Sequence, residues 1–114
     1  MSYCYLASPY SHPDESVRIQ RFMAACRAAA ALMLNGETVF CPISHSHPIE
    51  HHCFEEPQDG DFWKAQDLPL LQRASKLVVL MIDGWLQSSG IRWEIAEAER
   101  LGLPVEYLDP ELLP

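Results

Sequence analysis

The run KLVVLMID at residues 76–83 constrains the fold of this chain more than any other stretch. Most of its residues are apolar at consecutive positions, so both faces of a strand formed there must be covered by other parts of the protein. Strands of this kind occur in parallel sheets, whose neighbouring strands are joined by helices that lie against the sheet. The run therefore predicts further strands that alternate with helices along the chain.

Three more apolar runs and three helical patterns alternate with this strand. Strands are predicted at residues 3–8, 37–43 and 104–108, and helices from a cap at Asp14 to about Asn35, over 61–75 and over about 90–101. Pro69 interrupts the middle helix, so either the helix breaks there or a second short helix begins with Asp67 as its cap. Residues 44–60, SHSHPIEHHCFEEPQDG, are predicted to form a long functional loop.

This order of elements predicts one α/β domain over residues 1–114, because the chain is long enough for one core and too short for two. The expected architecture has three layers, with a flavodoxin-like parallel sheet of four to five strands and helices on both of its faces. In such sheets ligands bind beyond the carboxyl ends of the strands. The loops ASPYSH, PISHSHP and DGWLQSSG are therefore expected to converge on one cleft.

Composition argues against several classes of protein. The formal net charge of -8 disfavours binding of nucleic-acid polymers, which depends on lysine and arginine at the phosphates. No apolar run approaches the roughly 18 residues of a membrane span, and the N-terminus lacks a signal-peptide pattern. The four cysteines form no C-x-x-C pair, and Cys4, Cys26 and Cys41 read as small buried residues, which favours a reducing cytoplasm.

Glu94 occupies an unusual position for a carboxylate on the last predicted helix. The apolar stripe of that helix is formed by Ile91, Ile95, Ala98 and Leu101. At about 100° per residue, Glu94 lies only about 45° from the centre of the stripe, and one turn from a helix N-terminus that stabilises anions. A carboxylate that is ionised but poorly solvated suits a nucleophile. Pairing with Arg92 or a neighbouring helix is the structural alternative.

Three stretches carry a resemblance to a known family: YLASPY, DLPLLQRASKLVVLMID and SSGIRWEIAEAERLGLPV. Together they resemble the nucleoside 2-deoxyribosyltransferase superfamily, which includes 2'-deoxynucleoside 5'-monophosphate N-glycosidases, and within it the small proteins that carry YLASPYSH and HSHP. The resemblance covers nearly the whole chain, and its most specific part is the small-Gly-x-x-aromatic-Glu-aliphatic motif that opens the last helix. It implies an N-glycosidase or glycosyltransferase without a cofactor, whose small-molecule partner is a nucleoside or nucleoside 5'-monophosphate.

The resemblance also implies roles for individual residues. Glu94 would be the nucleophile that attacks the anomeric carbon of the sugar, and Tyr5 would hydrogen-bond to this carboxylate and orient it. Asp67 would assist departure of the base or contact the sugar. Two of these residues have structural alternatives, since Tyr5 is also placed as a core aromatic residue of the first strand and Asp67 as a helix cap.

An anion site is expected at Ser88, Ser89 and Gly90, because backbone amides at a helix N-terminus point towards a bound anion. The resemblance implies that Ser88 binds a 5'-phosphate, since family members acting on nucleotides have a serine there and the nucleoside transferases tend to have an aspartate. The alternative is that the serines only satisfy unpaired helix amides. At the end of the first strand, Ser8 and Pro9 are expected to bind substrate.

The histidine-rich segment is the main rival site. His45 and His47 alternate, so in an extended chain they point to the same side, where they are expected to line the cleft and contact base or phosphate. His51 and His52 are expected to be solvated. Metal binding is the less favoured alternative, because the spacing of these histidines, Cys53 and the nearby glutamates matches no strong zinc signature.

The remaining predictions concern partners and surfaces. A non-catalytic nucleotide-binding module and a metal-dependent hydrolase built on residues 45–52 stay open beside the glycosyl-transfer enzyme. Superfamily relatives complete their pockets across subunit contacts, so the resemblance implies a homodimer or a larger homo-oligomer. Arg18 and Arg21, which follow Asp14 and Glu15 on the first helix, are predicted to lie on a solvated face.

Overall fold

The sheet of the computed structural model, which describes residues 2–113, has four strands that are all parallel. They are β1 (Cys4–Ala7), β2 (Val39–Phe40), β3 (Lys76–Leu80) and β4 (Val105–Leu108), in the order β2-β1-β3-β4 across the sheet. The apolar run predicted as a central strand is β3, which pairs with β1 on one side and β4 on the other. All four strands are shorter than predicted, and β2 shrinks most, from residues 37–43 to two residues.

Four helices connect and cover these strands: α1 (Glu15–Leu34), α2 (Pro42–Cys53), α3 (Gly60–Gln72) and α4 (Ser89–Leu101). Short 3-10 turns add Trp85–Gln87 and Pro110–Leu112. The first helix has its predicted ends, because the Asp14 carboxylate accepts a hydrogen bond from the Ser16 amide at 2.9 Å and Asn35 follows the last helical residue.

Each face of the sheet is covered by a different set of helices. On one face, alanines of α1 pack against β1 and β3, in a cluster of Cys4, Leu6, Ala25, Ala28, Ala29, Cys41, Val78 and Leu80. On the other face, α3 and α4 pack against the same strands through Tyr5, Ala7, Leu71, Ala74, Leu77, Val79, Ile91 and Ala98. Each large apolar side chain in these clusters stabilises the fold by roughly 1.5–3 kcal/mol. The predicted three-layer, flavodoxin-like α/β architecture is confirmed.

The predicted loop at residues 44–60 is wrong, because most of it is the helix α2. Pro42 stands at the start of this helix, where its missing N–H costs nothing and its φ angle already suits a helix. Packing against α1 and β1 then outweighs the weak propensity of a segment rich in histidine and interrupted by Pro48. Residues two apart on a helix differ by about 200°, so His45 and His47 do not share a side as an extended chain would require.

Neither predicted alternative for the middle helix is correct, because α3 continues through Pro69. The helix begins earlier than expected, at a cap where the Asp59 carboxylate accepts a hydrogen bond from the Phe62 amide at 2.8 Å. Asp67 therefore lies inside the helix and caps nothing. It lies three or four residues from Trp63 and Lys64, so these side chains share the helix face that lines the cleft described below.

Two further observations bear on the predictions from composition. Within residues 2–113, no helix has both the length and the apolar content that crossing a bilayer requires. All four cysteines are free, with Cys4 and Cys41 buried, Cys26 partly buried and Cys53 exposed. The cytoplasmic location inferred from these residues stays a prediction.

Candidate active site

A cleft of about 1040 Å³ lies at the carboxyl ends of the central strands. Its walls come from the loop after β1, the start of α1, the inner side of α2, one side of α3, the loop after β3 and the start of α4. This is where ligands bind in parallel sheets of this kind. The three segments expected to converge all contribute to it, with PISHSHP as part of α2 and not as a loop.

Glu94 is buried in the wall of this cleft, with 7% of its surface exposed. It lies on α4 beside the core residues Ile91 and Ala98, as the apolar stripe predicted. Among the described residues it has no ion-pair partner, since Arg92 instead donates a hydrogen bond to the Gln87 carbonyl at 3.2 Å. The structural alternative, in which Glu94 pairs with Arg92 or with a neighbouring helix, is therefore wrong.

Burial sets the ionisation of Glu94. Loss of hydration raises the pKa of this carboxyl to about 8, and the nearby charge of Asp67 raises it further, while hydrogen bonding with Tyr5 opposes the rise. The carboxyl is therefore mostly protonated at pH 7. It becomes a carboxylate when the pH rises or when positive charge develops beside it.

Tyr5 lies on β1 with its ring in the core and its hydroxyl towards Glu94. The ring is fully buried and packs against Phe40, with 5.7 Å between the ring centroids. The hydroxyl has no hydrogen-bond partner of ordinary geometry among the described residues, so its approach to Glu94 is loose. Burial raises the pKa of Tyr5, and the Glu94 charge adds to this rise, so the hydroxyl stays protonated and acts as a donor. The core role and the orienting role are thus compatible.

Asp67 faces the same cleft from α3. Partial burial raises the pKa of its carboxyl to about 6. Of the two acids, Asp67 is thus the first to ionise, and at pH 7 it carries the charge. An ionised carboxylate accepts hydrogen bonds and has no proton to give. This ionisation order favours contact with a sugar hydroxyl over proton donation to a leaving base.

The serine turn at the start of α4 caps the helix, and its predicted role as an anion site stays a prediction. The Ser88 hydroxyl oxygen caps the helix by accepting a hydrogen bond from the Ile91 amide at 3.1 Å. Its hydroxyl proton remains free to donate, and Ser88, Ser89 and Gly90 all line the cleft. Capping and anion binding use different parts of the turn, so the first does not prevent the second.

The structure brings together some of the other predicted residues and separates the rest. Ser8 is buried in the cleft wall and donates to the Pro9 carbonyl at 3.3 Å. Pro9 itself is fully buried and does not line the cleft. His47 lines the cleft, whereas His45 is exposed on another side of α2, with its ring 5.8 Å from that of Phe40. The predictions that Pro9 and His45 contact substrate therefore lose their geometric basis.

His47 is held in place by residues that the sequence did not single out. The Tyr10 hydroxyl and His47 Nδ1 form a short hydrogen bond, and the Phe22 ring stacks on the imidazole with 4.2 Å between centroids. Burial lowers the pKa of His47, and the neighbouring His51 lowers it further, so the ring is neutral at pH 7. Tyr10 and Phe22 come from elements distant in sequence, and no local pattern indicates the contact.

Arg18 and Arg21 are partly exposed and also line the cleft, so the face predicted to be solvated is in addition a wall of the cavity. The two residues lie one turn apart near the start of α1, and the packing of α1 on the sheet turns that side of the helix towards the cleft. Trp63 of α3 lines the cleft as well, whereas Trp85 packs against Tyr107 outside it, with 5.7 Å between centroids.

A metal site built on the histidine segment finds no support in the geometry. Among residues 2–113, no group of three or more histidine, cysteine, aspartate or glutamate side chains converges as metal ligands do. The helix α2 directs His45 to a different side from His47, and its other histidines contact one another through their ring faces and edges. His47 and His51 stack with parallel rings 5.8 Å apart, and His52 meets His51 edge to face.

Comparisons with known proteins agree with this fold. A solved 2-deoxyribosyltransferase of the psychrotolerant bacterium Bacillus psychrosaccharolyticus matches with a TM-score of 0.66 and 23% sequence identity, over 93% of this chain and 71% of that chain. No curated protein matches the chain. The predicted resemblance to the nucleoside 2-deoxyribosyltransferase superfamily is confirmed at the level of the fold. Through a match over residues 2–109, the chain belongs to the family described as "Domain of unknown function (DUF1937)".

Proposed function

We propose that this chain breaks the N-glycosidic bond of a nucleoside or nucleoside 5'-monophosphate, with Glu94 as the nucleophile. The observation that carries the proposal is the buried Glu94 carboxyl, which lines a cleft and has no ion-pair partner among the described residues. An unpaired buried acid destabilises a fold, and such groups cluster at functional sites. The shared fold with a 2-deoxyribosyltransferase supports the same chemistry by analogy.

The reaction has two steps. In the first, a carboxylate oxygen of Glu94 forms a bond to the anomeric carbon while the bond from that carbon to the base nitrogen breaks. The electron pair of the broken bond leaves with the base, which takes up a proton from solvent, and the water that attacks in the second step releases a proton in return. In the second, water attacks the glycosyl ester and restores the Glu94 carboxylate, which gives hydrolysis. Attack by a second base in place of water gives transfer.

The positive charge that develops on the sugar during the reaction favours ionisation of Glu94. The transition state has oxocarbenium character, and a nearby positive charge lowers the pKa of a carboxyl. As Glu94 ionises, the Tyr5 hydroxyl, which has no other hydrogen-bond partner among the described residues, donates to the carboxylate and orients it, and the ionised Asp67 accepts from the sugar. The neutral imidazole of His47 and the hydroxyl of Ser88 remain available to donate hydrogen bonds to the base or the phosphate.

The proposal is tested by incubating the purified protein with a panel of nucleosides and their 5'-monophosphates and separating the products by liquid chromatography. We expect free base from at least one member of the panel, and exchanged nucleoside when a second base is present if transfer occurs. A panel without base release, with a compound bound in calorimetry, would instead support a non-catalytic nucleotide-binding module. That alternative is favoured by the burial of Glu94, which keeps its carboxyl mostly protonated at pH 7.

Replacing Tyr5 with phenylalanine is expected to shift the pH dependence of the reaction. Activity requires ionised Glu94, so kcat/KM rises with pH until it passes the pKa of about 8. Because the Tyr5 hydroxyl lowers that pKa, Tyr5→Phe moves the midpoint of the rise to higher pH. Initial rates from about pH 6 to about pH 10 measure the midpoint. Tyr3→Phe is the control, since the Tyr3 hydroxyl donates to the Leu70 carbonyl away from the cleft. Equal midpoints for Tyr5→Phe and the unmodified chain would refute the orienting role.

The oligomeric state belongs to the same proposal. The homodimer or larger homo-oligomer implied by the superfamily stays a prediction, and sedimentation of the purified chain measures it directly. Exposed apolar side chains at Leu86 and Tyr107, beside the half-buried Trp85, offer a surface for such a contact.

A further inference from the structure

We propose that Arg18 and Arg21 form a phosphate-binding wall of the cleft, which selects a nucleoside monophosphate over the uncharged nucleoside. The inference rests on the proposed function and names its substrate class. The two residues, called the arginine wall below, lie on α1 on the far side of the sheet from α3 and α4. They face the same cavity as Glu94 and Asp67.

Backbone oxygens hold the arginine wall in place. Arg21 Nη1 donates to the Ser11 carbonyl at 2.9 Å, and Arg18 Nη1 donates to the His12 carbonyl. Both acceptors belong to the loop after β1, so one edge of each guanidinium is tied to the body of the protein. A guanidinium carries five N–H donors, and each arginine keeps donors for a ligand. Planar donors held in a fixed orientation suit the oxygens of a phosphate.

Neither guanidinium has a carboxylate partner within 4.0 Å among the described residues. Only Lys76 and Arg100 form ion pairs with carboxylates among the described residues, so the charge of the arginine wall is not neutralised by direct pairing although acidic side chains outnumber basic ones by 16 to 8. Glu15, Glu50 and Glu55 also line the cleft, yet none of them pairs with the arginine wall. Two arginines that face a cavity without neutralising partners attract an anionic ligand.

Gly84 makes room for Arg21 next to the loop that follows β3. Its φ angle is 94°, a conformation that favours glycine, and a Cβ at this position would collide with the Arg21 guanidinium, with Cζ only 3.1 Å away. The same loop continues through the turn at Trp85–Gln87 into Ser88. Arg21 therefore lies beside the loop that leads into the expected anion site and supplies a cation that residues 83–90 lack in their own sequence.

The cleft thus has carboxyl groups on one side and guanidinium groups on another. The carboxyl groups of Glu94 and Asp67 come from α4 and α3, and the arginine wall comes from α1. A nucleoside monophosphate matches this division, because its sugar carbon becomes positive in the reaction and its phosphate is negative. An uncharged nucleoside would leave both arginines without a counter-charge.

The test measures binding without turnover. Isothermal titration calorimetry is carried out on the Glu94→Gln chain with a nucleoside 5'-monophosphate, the matching nucleoside and inorganic phosphate. We expect the monophosphate to bind at least about tenfold more tightly than the nucleoside, and Arg18→Gln or Arg21→Gln to remove most of that difference. Inorganic phosphate should compete with the monophosphate and leave nucleoside binding unchanged. Arg27→Gln is the matched control, since Arg27 is exposed on α1 and does not line the cleft.

The outcomes separate this inference from the proposed function. Equal affinity for nucleoside and monophosphate, no binding of the monophosphate, or an unchanged preference in both arginine variants would overturn the arginine wall. Base release from nucleosides would still uphold the N-glycosidase in that case. Conversely, an arginine-dependent preference for the monophosphate in a chain that releases no base would support phosphate binding by the arginine wall and contradict the N-glycosidase activity. Thermal melting shows whether each variant is folded, and Arg21→Lys, which keeps the charge, should recover part of the preference if Arg21→Gln unfolds the chain.

Discussion

Replacing Glu94 with glutamine is expected to lower the rate of base release by at least about a thousandfold. Glutamine has nearly the same shape as glutamate, so the packing of α4 against the sheet should persist. What it lacks is a carboxylate oxygen that can bond to the anomeric carbon, and without this bond the sugar cation has neither capture nor charge stabilisation. Initial rates on a substrate identified in the nucleoside and nucleotide panel measure the loss.

The matched control is Glu99→Gln, because Glu99 is an exposed carboxyl on the same helix and does not line the cleft. Its rate should stay within about twofold of the unmodified chain. A Glu94→Gln protein that is folded and releases base at the original rate would remove Glu94 from the mechanism. A small loss, near tenfold, would point to an electrostatic role without a covalent bond.

The same substitution is expected to stabilise the folded chain at neutral pH. The pKa of Glu94 is about 8 in the fold, against 4.5 for an exposed glutamate such as that of the unfolded chain. Between these values the folded state holds a proton that the unfolded state has released. Stability is therefore highest below the unfolded pKa, declines as the pH rises between the two values, and stays low above the folded pKa.

The difference between the folded and unfolded pKa of Glu94 has a large effect on the stability of a domain of 114 residues. Each pH unit between the two pKa values costs about 1.4 kcal/mol, so Glu94 lowers the free energy of unfolding by about 3 kcal/mol at pH 7. Glu94→Gln removes this cost, with an expected rise in melting temperature of roughly 10 °C at pH 7 and little change near pH 4.5. Thermal unfolding followed by circular dichroism at the two pH values measures it, with Glu99→Gln as the control. Equal gains at both pH values would show that ionisation is not the cause.

Local patterns in the sequence were enough to place Glu94. The spacing of Ile91, Ile95 and Ala98 fixes the buried side of α4, and the position of Glu94 relative to that side follows from helix geometry alone. The central strand and its parallel partners were also predictable, since a strand that is apolar on both faces needs cover on both. These features depend on residues close together in the chain.

Helices that contain proline were not predictable in this way. Pro48 and Pro69 both lie inside helices, against the rule that proline ends a helix. In α2 the histidine-rich sequence shows little apolar periodicity, and contacts with α1 and β1 hold the helix. Tertiary packing decides such segments, and a local pattern does not contain that information.

The arginine wall of the cleft was not predicted from the sequence for a related reason. Arg18 and Arg21 have acidic neighbours in sequence, which indicated a solvated face, yet the packing of α1 turns them towards the cavity. The contact of Tyr10 with His47 joins residues 37 positions apart. Such contacts follow from the crossover connections of the sheet, so they become visible only when the order of the strands is known.

The covalent bond between Glu94 and the sugar is the central claim, and mass spectrometry of the acid-quenched reaction tests it most directly. The intact protein should gain the mass of one glycosyl group, and peptide mapping should locate the group on Glu94, with no adduct in the Glu94→Gln chain. An adduct on another residue would contradict a nucleophilic Glu94. Base release without any adduct under rapid quenching would also contradict it, because water would then attack the sugar directly.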